Sequence, residues 1–209
     1  FYIDFNAWRD KDPNFRSSSK DVEKILKEFN SQNVDGVIVD LRGNSGGSLY
    51  EANKLIGLFV ASGATLQVKE NTGNIRPWGD GRAKQAWMKP MAVMVNRYSA
   101  SASEIFAGAI QDYQRGIIIG HRTFGKGTVQ KLDNLSSGQL KVTESKFYRI
   151  TGSGMQNKGI KPDITLPATW DIEEIGESSL DTALPWDQIR AIRFKKFAMD
   201  LSLISQLKK

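Results

Sequence analysis

Apolar and polar positions alternate along this chain with two different periods. Val22, Ile25, Leu26 and Phe29 recur at helical spacing with charges between them, behind Ser19 or Asp21 as the capping residue. Tyr50 to Phe59 repeats the pattern and closes near Gly63. Between the two, Gly36-Val-Ile-Val-Asp-Leu41 is a short apolar run bounded by glycines, the signature of a strand buried on both faces in a mostly parallel sheet. Met91 to Val95 and Gly116 to Gly120 read the same way, with an alanine-rich helix, Ala102 to Tyr113, separating them. Tyr2 to Phe5 alternates like the tail of a strand, and Ala64 to Glu70 is a strand entering a turn at Asn71-Thr-Gly73. From Ile75 to Lys89 the signal is weak. Gln139 to Ile150 alternates as antiparallel strand.

Strand, helix and strand in this order predict an α/β layered domain with right-handed crossovers, antiparallel strands late in the core, and a unit running from 1 to about 170. Beyond Lys161-Pro-Asp163 the chain turns acidic and loop-like, and the spacing from Trp186 to Lys208 predicts a terminal helix. Residues 171–209 are therefore expected to form an acidic loop and a helical appendage docked on the core.

Composition narrows the chemistry. With 209 residues, 40% hydrophobic and 25% charged, the chain can fill a sizeable core. No apolar run reaches the roughly eighteen residues of a bilayer span. The start at Phe1 reads as that of an excised or processed piece. A net charge of +6 is scattered without a basic stripe interleaved with aromatics, so a nucleic-acid partner is not expected. There is no cysteine and one histidine, His121, so thiol chemistry is excluded, a transition-metal site has no ligand set, and a cofactor is not expected.

A serine nucleophile still needs a base, and lysine is the natural candidate, because burial lowers an amine that ordinarily titrates near 10.4. Ser101 lies in Ser99-Ala-Ser-Ala-Ser-Glu104, where a strand turns into a helix N-terminus. There the helix dipole favours an alkoxide, and free backbone N–H groups face incoming negative charge. Ala102 N–H is the leading oxyanion donor. The glycine-rich loop Arg42-Gly-Asn-Ser-Gly-Gly47 supplies the other, Gly47 before Gly46. Lys126 follows between two glycines in Thr123-Phe-Gly-Lys-Gly-Thr-Val-Gln130, with Phe124 and Val129 as apolar cover and Gln130 able to orient a neutral amine.

Each of these residues also has a plain reading. Ser101 with Glu104 is a capping box, Ser99 and Ser103 compete as nucleophiles, Lys126 fits an exposed loop, and the glycine loop fits a tight turn. A Ser101–His121 dyad would need an orienting acid such as Asp112, while Gly-His-Arg at a strand end suits a surface position.

Taken in order, Asp40 to Gly47, Ser99 to Glu104, Phe124 to Gln130 and Lys158-Gly-Ile-Lys-Pro-Asp163 resemble four motifs of the carboxyl-terminal processing, or tail-specific, proteases of the serine–lysine type. The resemblance implies a fold akin to crotonase and Clp protease. It implies Ser101 as nucleophile, Lys126 as general base and Gln130 as the residue that positions the lysine. Protein or peptide substrates with free C-termini, an adaptor protein and a periplasmic or envelope location are implied with it. Two departures stand out: no stretch is long enough for the family's PDZ domain, and Lys131 to Gln139 is shorter than in larger periplasmic members. A latent or non-catalytic binding module on the same fold, and an acyl hydrolase on a crotonase-like core, are the competing functions.

Overall fold

The computed structural model describes residues 17–167 and 174–198. The strand expected at Tyr2 to Phe5 lies outside them.

Two four-stranded sheets organise the molecule. The first is parallel, in the order β1-β4-β5-β8, from β1 (Val37–Asp40), β4 (Met91–Val95), β5 (Ile117–Gly120) and β8 (Ile164–Thr165). The second is antiparallel, in the order β3-β2-β7-β6, from β2 (Ala64–Glu70), β3 (Ile75–Gly79), β6 (Thr128–Asn134) and β7 (Gln139–Tyr148). Helix α1 (Ser18–Ser31), α2 (Leu49–Val60) and α3 (Ala102–Asp112) complete the core. This is the α/β arrangement that the alternation of periods predicts.

Helices α2 and α3 are buried over most of their length and pack on each other through Phe59 and Phe106, whose rings meet edge to face at 5.8 Å. Val93, Val95 and Ile118 of the parallel sheet join the same core with Leu55, Leu58, Ile105 and Ile110.

Four details differ from the sequence expectation. The α1 cap is Ser17, whose hydroxyl accepts the Lys20 amide at 3.3 Å, so the helix starts before Ser19 and Asp21. Strand β1 is an edge strand open on one face, with Ile38 68% exposed, because no element covers that side among the described residues. Ile75–Gly79 is a strand despite its weak pattern. It is an exposed edge, where Pro77 is tolerated and no burial alternation is imposed.

The fourth difference is the appendage. Residues 186–198 are not helical; they lie along the core without regular structure beyond a single bridge of Gln188 to Ser153, and 199–209 lie outside the described residues. A 3-10 turn at Glu177–Ser179 precedes them. Backbone bonds from Ile189 N to Gly152 O (2.8 Å), Ile192 N to Ile150 O (3.0 Å) and Phe197 N to Tyr113 O (2.8 Å) satisfy this segment against the core instead of against itself. Asp187 anchors it by accepting from Lys146 Nζ at 2.5 Å and Tyr148 Oη at 2.9 Å. Residues 174–198 are thus a strap.

Candidate active site

The turn from β4 into α3 is built by Asn96 and Ser99. The Asn96 amide donates to Ser99 Oγ at 3.0 Å, and Ser99 Oγ donates to Leu41 O at 2.7 Å, tying the turn to the end of β1. Ser99 is fully buried by this role. Ser103 Oγ is likewise committed, donating to Asn44 Oδ1 at 2.8 Å. Of the three serines, Ser101 alone is partly exposed.

Ser101 also carries the strained backbone. Its φ of 56° and ψ of −115° lie where non-glycine residues rarely sit, at a cost on the order of 1–3 kcal/mol, and such outliers cluster at functional sites. The plain capping reading holds in part. Glu104 reaches back to accept the Ser101 amide at 2.8 Å, while the Ser101 hydroxyl faces the Glu104 amide without completing an ordinary hydrogen bond.

The glycine loop lies against this elbow. A Cβ on Gly46 would fall 2.6 Å from Ala100 O and 2.8 Å from both Ala102 N and Ser101 Cβ, so only glycine, at φ 101°, allows the approach. Asn44 fastens the loop: its carbonyl accepts the Ala100 amide at 3.0 Å, and its Oδ1 accepts the Gly46 amide at 3.0 Å. The Gly46 N–H is therefore spent. The Gly47 and Ala102 amides make no hydrogen bond among the described residues.

The lysine loop is fixed just as closely. Gly125 presses on Asn157 and Gly127 on Gln156, where a Cβ would lie 2.9 Å and 2.6 Å from backbone atoms. The motif from Lys158 to Asp163 explains itself here. Ile160 N donates to Thr123 Oγ1 at 2.6 Å, Gly159 packs on Thr123, and Asp163 holds β5 by accepting Ile118 N at 2.8 Å.

Glu104 joins the two halves of the site. Fully buried, it accepts Thr123 Oγ1 at 2.6 Å and Gly125 N at 2.7 Å on Oε1, and Ser101 N and Lys126 N on Oε2. Burial pushes its carboxyl up to about 7, against the pull of those four donors. In the sequence Glu104 stands out only as a capping partner; its bonds to residues 123–126 span distances no local pattern encodes.

Lys126 is half buried. Burial first, then the like charge of Lys141, lower its amine below the ordinary lysine range; the carboxylates of Glu177 and Glu104 oppose them. No hydrogen bond joins its amine to the Ser101 hydroxyl among the described residues. Gln130 lies on exposed β6 past a register shift at Val129/Gln130, and its amide makes no hydrogen bond to Lys126 among the described residues. The Ser101–His121 dyad lacks its orienting acid, since His121 and Asp112 make no hydrogen bond to each other among the described residues. His121 Nε2 sits 3.1 Å from Pro167 O, and Asp112 is paired with Arg149. No group of three or more His, Asp or Glu among the described residues could hold a metal ion.

An α/β core that presents a strained, partly exposed serine beside a glycine loop and a loop with a half-buried lysine fits the platform of a serine peptidase. The chain belongs to peptidase family S41, whose model matches residues 2–166; residues 170–209 match the C-terminal domain of tail-specific protease. It is 48% identical over 180 residues to the tail-specific protease of Haemophilus influenzae, covering 82% of this chain and 26% of that protein. A probable CtpA-like serine protease of Staphylococcus epidermidis is 36% identical over 153 residues, 72% of this chain and 31% of the relative. The chain thus spans about a quarter to a third of these relatives' lengths. Among solved structures, a photosystem II D1 C-terminal processing protease superposes with a TM-score of 0.64 at 33% identity, covering 73% of this chain and 40% of that one. Mature CPAF, at 19% identity and a TM-score of 0.62 over 79% and 45%, shares the fold.

Proposed function

We propose that this chain is the catalytic core of a serine endopeptidase that cleaves protein substrates at or near their C-termini through a Ser101–Lys126 dyad. The observation that carries the reading is the elbow. Among three neighbouring serines, the one with a strained backbone and a partly exposed side chain is also the one packed against Gly46 and tied through Glu104 to the lysine loop.

In this mechanism neutral Lys126 takes the Ser101 proton as Oγ attacks the scissile carbonyl carbon. Ala102 N–H and Gly47 N–H hold the oxyanion, and Lys126 returns the proton to the departing amine. Water, deprotonated by the same amine, then attacks the acyl-enzyme and frees Ser101. Gln130 is assigned the role of orienting the amine as the dyad closes. In this reading the Ser101 hydroxyl and the Lys126 amine come into hydrogen-bonding contact as substrate binds.

Protein substrates follow from the protease relatives. Free C-termini as the recognised feature, an adaptor and an envelope location rest on the tail-specific family alone. The test is cleavage of C-terminally varied peptides by the parent protein. Ser101→Ala and Lys126→Ala should each abolish turnover while Ser103→Ala retains it. Undiminished cleavage by either of the first two would overturn the dyad, and no cleavage by the unsubstituted protein would leave the non-catalytic module as the better reading.

A further inference from the structure

The loop that carries Lys126 is held from a second side, by residues outside all four sequence motifs. Gly127 N donates to Gln156 Oε1 at 2.9 Å, and Gln156 Nε2 donates to Glu177 Oε1 at 3.2 Å. Glu177 closes the circuit through its backbone, N to Phe124 O at 3.0 Å, two residues before the lysine. Gln156 is 1% exposed, so each of its amide atoms has been removed from water and needs the partner it has. Next to Glu177, Gly176 at φ 142° is pressed onto Arg97 and Phe124 so closely that any side chain would collide with them. Arg97 in turn donates to Thr123 O at 2.6 Å. Both sides of the lysine loop are thereby pinned: Glu104 takes the amides of Gly125 and Lys126, and Gln156 takes that of Gly127.

Glu177 and Gly176 belong to the segment matched by the C-terminal-domain model, whereas Gln156 and Lys126 belong to the peptidase model. We infer that Gln156 and Glu177 are positioning residues for the general base, a two-residue relay through which the C-terminal strap becomes part of the peptidase site. The relay fixes the loop backbone and sets a carboxylate near the amine. This inference rests on the Ser101–Lys126 reading.

The charges facing Lys126 come from three elements: Glu104 of α3, Lys141 of β7 and Glu177 of the strap. Glu177 favours the ammonium, so removing its charge makes the neutral base available at lower pH. Glu177→Gln keeps an oxygen for Gln156 Nε2 and the backbone bond to Phe124. It should move the acidic limb of the kcat/KM profile to lower pH.

Gln156→Glu keeps the acceptor for Gly127 N–H but sets two carboxylates face to face. It should lower kcat about tenfold or more with little change in KM. The double variant Gln156→Glu/Glu177→Gln restores one donor and one acceptor with the polarity reversed, and should recover most of the lost kcat. A residue that only supports the fold would move melting temperature and active fraction without shifting the pH limb.

All variants are made in the full-length parent protein and assayed on one peptide beside Lys126→Ala. Activity in Lys126→Ala overturns the dyad and the relay with it. A dead Lys126→Ala beside relay variants with wild-type kcat and an unmoved limb, or a double variant no better than Gln156→Glu, overturns the relay alone.

Discussion

Ser101 and Lys126 are joined through a single oxygen: Glu104 Oε2 accepts the amide of the first at 2.8 Å and of the second at 2.9 Å. The candidate nucleophile and base lie twenty-five positions apart in sequence, yet their backbones share one acceptor. A carboxylate in that place sets the spacing of the two loops more rigidly than side-chain contact would, since it lies at the root of both.

Glu104→Gln tests this directly. All four lone-pair positions of the carboxylate are taken, two donors on each oxygen, so an amide NH2 on either side must face N–H groups. The elbow and the lysine loop should separate slightly. A displacement near 1 Å corresponds to about a 100-fold loss of kcat. Steady-state turnover at a pH above 8 checks it, and near-normal kcat in a folded variant would remove Glu104 from the positioning of the dyad.

The same carboxyl gives a stability signature. Its pKa rises from 4.5 to about 7 on folding because burial disfavours the charge. Between those values the folded state holds a proton that the unfolded state has released, so stability falls as pH rises through the window. The contribution is present below 4.5 and lost above about 7, amounting to about 3 kcal/mol at most. Hydrogen exchange of the α3 amides at pH 5 and 7.5, corrected for intrinsic rates, should show this slope in the parent protein and its loss in Glu104→Gln. Equal slopes in the two would refute it.

Lys141 makes a prediction of opposite sign to that for Glu177. Its ammonium, exposed on β7, lowers the Lys126 amine by like-charge repulsion. Lys141→Gln should therefore raise the pH at which the neutral base forms, moving the acidic limb of kcat/KM upward. The shift should shrink as salt rises, because an exposed charge is screened over about 10 Å at 0.1 M ionic strength. A profile that does not move at low salt would exclude Lys141 from the field at the base.

What the sequence made legible follows from how local each feature is. Ser101, Ala102 and Gly46 obey short-range rules of turn, cap and close approach, and the structure brings these three together. Strand β3 escaped because an exposed edge carries no alternation. The spacing from Trp186 onward fits a helix, while the backbone partners of Ile189, Ile192 and Phe197 at Gly152, Ile150 and Tyr113 are tens of residues away. Glu104 to Lys126 and Gln156 to Glu177 are bonds across twenty or more residues, and no window along the chain displays them.

The glycine loop supplies the last prediction. Gly46 has its N–H bound to Asn44, so its service to the site is not donation but thinness: it lets the loop lie on Ala100 to Ala102 and brings Gly47 beside the elbow. Gly46→Ala would place a methyl group 2.6 Å from Ala100 O, at a φ of 101° that alanine disfavours. The loop must lift, carrying the Gly47 amide away from the oxyanion position, and loss of one such donor costs about 100-fold or more in kcat. Gly43→Ala is the matched control. It too has a positive φ, 72°, but a Cβ there meets nothing within 4 Å, so it should cost stability and leave kcat nearly intact. Equal kcat losses in the two variants, at equal folded fraction, would show that backbone strain and not the approach to Ser101 governs the loop.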